Sequence, residues 1–115
     1  MHETSLVESL LQQVAQLQRA HGGAPVEAVH VEIGPLAGVE PLLVQSAFAQ
    51  LAVRHAIPDA RLEVAQTPLV ARCSCCGEFE VVGFRFRCPQ CGSAEVPVVR
   101  GDAFRLMSIT LREEN

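Results

Sequence analysis

The sequence predicts an α+β fold in which two helices lie on a small, mainly antiparallel three-stranded sheet, with a separate module inserted between two of the strands. Three observations predict it. Two stretches repeat apolar residues at intervals of three and four, and three others alternate apolar with polar residues. All five cysteines fall between Arg72 and Arg100, where both patterns stop.

The first helix rests on Leu6, Val7, Leu10, Leu11, Val14 and Leu17, which line one face at helical spacing. Ser5 with Glu8 three residues on reads as a capping box, so the helix is expected to start near Thr4 or Ser5 and to end around His21-Gly22-Gly23. Met1, His2 and Glu3 are then left just outside it. Val29, Val31 and Ile33 alternate with His30 and Glu32 in a half-buried strand ended by Gly34-Pro35. The second helix follows Glu40-Pro41, carries Leu43, Val44, Ala47, Phe48, Leu51 and Ala52, and stops at Ile57-Pro58-Asp59. Leu62 and Val64 mark the next strand, and Phe104 to Leu111, free of turn residues, the last.

The chain of 115 residues has room for one compact domain carrying a smaller module. It is 49% hydrophobic and 19% charged, which suits a folded protein. Net charge is -4 and the basic residues are all arginine, so bulk charge points to no nucleic acid and no membrane partner. No basic segment leads into an apolar run, and no stretch reaches the length of a membrane span. A cytoplasmic location is expected, where paired cysteines serve metal binding more than disulfides.

The inserted module reads RCSCCGEFEVVGFRFRCPQCGS. Cys73 and Cys76 form one C-x-x-C pair, Cys88 and Cys91 another, and each closes on a glycine, Gly77 or Gly92. Two such turns can aim four thiolates at one ion with Zn–S distances of about 2.3 Å, a zinc-ribbon-like arrangement. Gly83 can reverse a small hairpin between the pairs. The same donors could hold iron in a rubredoxin-type centre or act as a redox dithiol, although neither pair sits in the βαβ setting of the latter. Cys75 is the spare thiol, either a bystander, a substitute for Cys76, or a reactive thiol beside the metal. In GFRFR, Phe84 and Phe86 are expected to pack the ribbon while Arg85 and Arg87 face water. Residues 72–100 carry four arginines against three glutamates, too balanced for a polyanion footprint.

At the other end of the chain the amine of Met1 stands one residue from an imidazole. Amine, amide nitrogens and the His2 ring can close successive chelate rings that suit nickel(II) or copper(II) in a square plane, and Glu3 adds a further donor. His21 and His55 sit where helices end, complementing the dipole. His30 and Glu32 share the polar side of their strand.

The order of motifs is specific: MHE before an amphipathic helix, VEIGPLAGVEP before a second helix, then CxxCG and CPxCG. Over essentially its whole length the chain resembles the HypA/HybF family of nickel metallochaperones for NiFe-hydrogenase maturation. The resemblance implies a metallochaperone rather than an enzyme, with nickel(II) as transient cargo and zinc(II) as a structural ion. It implies a discontinuous nickel-binding domain, 1–71 and 101–115, and a zinc-binding domain, 72–100. His2 corresponds to the main nickel ligand, with Glu3 and the Met1 amine beside it, and Glu40 falls where the family places an acidic residue near nickel. Cys73, Cys76, Cys88 and Cys91 match the zinc ligands. The implied partners are a HypB-type GTPase and the hydrogenase large subunit, with the chain itself a monomer or weak homodimer. The alternative is a zinc-ribbon module that binds nucleic acid or protein and has an inert N-terminus.

Overall fold

In the computed structural model, which describes residues 2–112 and His2 by its backbone alone, the first helix begins earlier than its capping signal. α1 runs His2–Ala20. The capping box does not set the start because Glu8 is engaged elsewhere: its Oε1 lies 2.6 Å from His55 Nε2. Glu3 instead occupies the first turn, where a carboxylate complements the positive end of the helix dipole. At the far end Gly23 N–H donates to Gln18 O at 2.8 Å and closes the helix.

The other elements follow in order: β1 (Val26–Ile33), α2 (Pro41–Arg54), β2 (Arg61–Gln66), β3 (Val70–Cys73), β4 (Gly77–Glu80), β5 (Val98–Arg100) and β6 (Phe104–Leu111). Among the described residues they build two three-stranded sheets, ordered β2-β1-β6 and β4-β3-β5. β1 is central in the first sheet, which explains why Val26 and Ala28 are buried along with Val29, Val31 and Ile33. In the second sheet β3 pairs antiparallel with β4 and with β5.

Two compact units result. The helix unit contains residues up to Val31, Val39–Ala65 and the chain from Arg105. α1 packs against α2 here. Val7, Leu10, Leu11 and Val14 supply one side of the core, and Val44, Ala47, Phe48, Leu51 and Ala52 another. The pattern is the one the apolar periodicity requires, because a helix at 3.6 residues per turn returns these positions to one face.

The cysteine unit contains Gln66–Phe104 together with Glu32–Gly38. Its edges lie outside the 72–100 segment marked by composition, and the reasons are local. Leu69 belongs to its buried cluster, with Ala71, Cys73, Val81, Cys88 and Val96, and accepts a 2.7 Å hydrogen bond from Val81 N–H. The Glu32–Gly38 arm is tied in by backbone bonds: Gly34 N–H to Ala103 O at 3.1 Å, Leu36 N–H to Gly101 O at 3.0 Å and Thr67 N–H to Ile33 O at 3.1 Å. Gly34 crosses Gly101 so closely that a Cβ at Gly34 would lie 2.2 Å from the Gly101 carbonyl. Only glycine fits that crossing.

Candidate metal centre

The hairpin that joins β3 to β4 turns at the first cysteine pair, with Cys73 opposite Gly77 in the register. The second pair turns in the same way: Gly92 N–H donates to Cys88 O at 2.9 Å and Cys88 N–H to Ser93 O at 3.0 Å. Gly77 (φ 89) and Gly92 (φ 75) take the left-handed conformation that ends each turn, which a side chain would strain. Gly83 also turns the chain, but no paired strands flank it. Gly83 (φ 62) and Phe84 (φ 54) both have positive φ, and Arg85 N–H closes the turn on Val82 O at 3.2 Å.

The ligand atoms of Cys73, Cys76, Cys88 and Cys91 all lie within 4.8 Å of one another. The Cys73 and Cys91 sulfurs are 3.6 Å apart. A tetrahedral ion with metal–sulfur bonds of about 2.3 Å requires sulfurs about 3.8 Å apart, so the four residues fit a zinc-ribbon-like centre. All five cysteines are free thiols. Cys75 is exposed and outside the group, its sulfur 3.9 Å from Ser74 Oγ.

Backbone amides prepare the centre for a cation. The N–H groups of Cys75 and Cys76 point at the Cys73 sulfur and hold its thiol below the usual range. Those of Cys91 and Gln90 do the same for Cys88, which falls to about 6. The other two thiols move the opposite way. Hydrogen bonding to Cys88 pushes Cys76 up to about 12. The Ser93 amide pulls Cys91 down, but its hydrogen bonds to Cys73 and Cys88 outweigh this and raise it overall. Each pair thus combines one thiol that gives up its proton more easily than usual with one that gives it up less easily.

Phe86 packs against the buried cluster, as expected of the ribbon. Phe84 does not: it is 62% exposed, because the turn at Gly83-Phe84 breaks the alternation that a strand would have imposed.

Of the N-terminal candidates, Met1 and the His2 side chain lie outside the described residues. Glu3 and Glu40, far apart in sequence, meet: Glu40 N–H donates to Glu3 Oε2 at 3.3 Å. Glu40 is the N-cap residue of α2, ahead of Pro41, and makes no side-chain cap bond. The Glu3 carboxylate therefore stands at the positive end of α2, satisfying an amide the helix leaves without an internal partner.

Three polar residues have partners that sequence reasoning missed. His55 is the C-cap residue of α2, but its ring is bonded to Glu8 rather than left facing the helix end. His30 Nε2 lies 2.8 Å from Thr110 Oγ1. Glu32 accepts from Arg100 Nε at 3.4 Å and is only 16% exposed, so it is not a solvated side chain. Each pair joins residues dozens of positions apart, for which a single sequence carries no signal.

Comparison with known proteins agrees with this architecture. A family model described as hydrogenase/urease nickel incorporation, metallochaperone, hypA matches residues 1–111. The hydrogenase maturation factor HypA of Nitrosospira multiformis is 37% identical over 112 residues, covering 96% of this chain and 97% of the relative. The solution structure of the nickel metallochaperone HypA from Helicobacter pylori matches with a TM-score of 0.76 and 25% identity, over 97% of this chain and 98% of that one. A second solution structure of a HypA protein matches with a TM-score of 0.79 and 26% identity, over 99% of this chain and 98% of that one. Whole-length matches in sequence and in structure place the chain in the HypA family of hydrogenase maturation metallochaperones, which are not enzymes.

Proposed function

We propose that the chain binds nickel(II) at its N-terminus and delivers it to the large subunit of a NiFe-hydrogenase, working with a HypB-type GTPase. Met1 supplies the amine, His2 the imidazole, and His2 and Glu3 their amide nitrogens. Glu40 acts beside them. The observation that carries this reading is the meeting of Glu3 with Glu40, which assembles two of the proposed residues at one helix end. Family membership supports nickel as the cargo.

The backbone supports it as well. α1 begins at His2, so the amides of His2 and Glu3 belong to the first turn, whose N–H groups have no carbonyl four residues earlier to bond. Deprotonating them for a metal costs no helix hydrogen bond. A square-planar chelate cannot keep helical dihedrals, so nickel is expected to unwind the start of α1. In the wider reading, 1–71 with 101–115 is the nickel-binding domain and 72–100 the zinc-binding domain, where Cys73, Cys76, Cys88 and Cys91 hold structural zinc(II).

Nickel titration of three chains tests the site: the native chain, His2→Ala, and a chain extended by a few residues ahead of Met1. The native chain should bind with the absorbance of a planar nitrogen-ligated complex, and the other two should lose most of that affinity with the fold intact. Equal binding by all three removes the N-terminal site.

A further inference from the structure

β6 stands at the edge of its sheet and is hydrogen-bonded to β1 on one side only. In a strand every second residue turns both its N–H and its C=O to the same side, so about half of the backbone groups of β6 have no partner strand. From Leu106 to Leu111 the strand is uncharged and contains neither proline nor glycine. The opposite edge is different: β2 has six residues, and two of these are the exposed, ion-paired Arg61 and Glu63. Folded proteins blunt a free edge with charge, proline or short length, and β2 follows that rule where β6 does not. A long uncharged edge of this kind is an aggregation hazard unless something is meant to pair with it.

The space beside the edge has a matching character. Between α1 and β6 lie two open hollows of about 480 and about 460 Å³, and both are lined by Leu17 and Met107, so together they form one groove along the strand. Gln13 and Gln16 line one end, and His21 and Ile109 the other. Met107 is 57% exposed, while Leu17 and Ile109 are half-buried. Among the described residues no acidic or arginine side chain lines the groove, so a charged group placed there would lose water without gaining a counter-ion. All of these residues belong to the helix unit.

The two features select the occupant. A row of free main-chain groups is satisfied by another strand, whereas a helix has already bonded its own. A strand laid along β6 also turns alternate side chains into the groove, whose lining admits apolar or small neutral ones. We propose that the free edge of β6 and the groove beside it are a docking site for an extended, uncharged segment of a partner protein. The segment adds to the sheet as a fourth strand and seats every second side chain against Leu17 and Met107. None of these residues is among the proposed nickel or zinc ligands, so the site stands apart from the metal reading.

Nuclear magnetic resonance titration of the full chain, loaded with zinc, tests this with a capped eight-residue peptide that alternates valine and threonine. The peptide should shift the amides of Leu106 to Leu111 and the methyl groups of Leu17 and Met107, saturably. The same peptide with every backbone amide N-methylated keeps its side chains but cannot donate to an edge, and should bind at least about tenfold more weakly. Met107→Asp, at an exposed position, should weaken binding of the unmodified peptide to a similar degree with unchanged circular dichroism. Leu42→Asp, equally exposed but on α2, should bind it as the native chain does. The proposal is overturned if β6 does not respond up to millimolar peptide, if the N-methylated peptide binds equally well, or if Met107→Asp binds as the native chain does. Shifts along β6 that follow protein concentration alone would put a second copy on the edge and overturn it too.

Discussion

The helix unit and the cysteine unit are held together by different physics. In the first, α1, β1 and α2 each contribute four or more buried apolar side chains, and Leu11, Val7 and Val14 are almost fully enclosed. In the second, the buried cluster has six members, and two of these are Cys73 and Cys88 themselves. Apolar burial at about 25 cal/mol per Å² can organise the first. The second has too little of it, and on the proposed function a cation held by its two turns would supply the rest. On that reading a single chain of this length holds one unit that is stable by packing and one that would be stable by ligation.

That contrast is open to test. The largest effect is expected from Cys88→Ser, which removes a thiolate and with it most of a metal-binding free energy on the order of 10 kcal/mol. Amides of β3, β4 and β5 should lose their protection from hydrogen exchange, while α1 and α2 keep theirs. Cys75→Ser, outside the group, should change neither. The same centre should weaken in acid. Cys88 titrates at about 6 in the fold and near 9 when free, so its contribution is complete above pH 9 and is lost as the pH falls to 6. Metal affinity, followed through the thiolate absorbance of the cobalt-substituted protein, should fall more steeply below pH 6, where Cys88 also takes up a proton.

The reciprocal perturbation is smaller. Leu11→Ala leaves a void in the helix unit and should cost about 2–5 kcal/mol in denaturant unfolding. The cobalt–thiolate band should survive that change. If it vanishes at the same denaturant concentration as the helical signal, the two units unfold as one. The smallest effect is expected from Glu8→Gln, which weakens the 2.6 Å contact with His55 that ties α1 to the end of α2. Both side chains are partly exposed, at 39% and 25%, so the loss should be about 1 kcal/mol, read as a small drop in melting temperature.

Much of this could be read along the chain. The period of the apolar residues determined that α1 and α2 exist and which sides they bury, since Val7, Leu10 and Val14 can share a face only in a helix. Alternation marked β1, β2 and β6, and the paired C-x-x-C spacing singled out the thiols of one centre, because those are local properties of neighbouring residues. Tertiary structure decided what depends on distant ones. Glu8 turned to His55 instead of capping its own helix, and α1 begins at His2. A turn at Gly83-Phe84 exposed one phenylalanine of a pair that looks equivalent in sequence. Cys76 joined the cluster and Cys75 did not, because the backbone turn and not the spacing alone aims each sulfur. Glu3 met Glu40 only because two helices were packed by residues that take no part in that contact. Sequence order determines which elements can form, and the packing of their buried faces determines which polar groups end up within reach of one another.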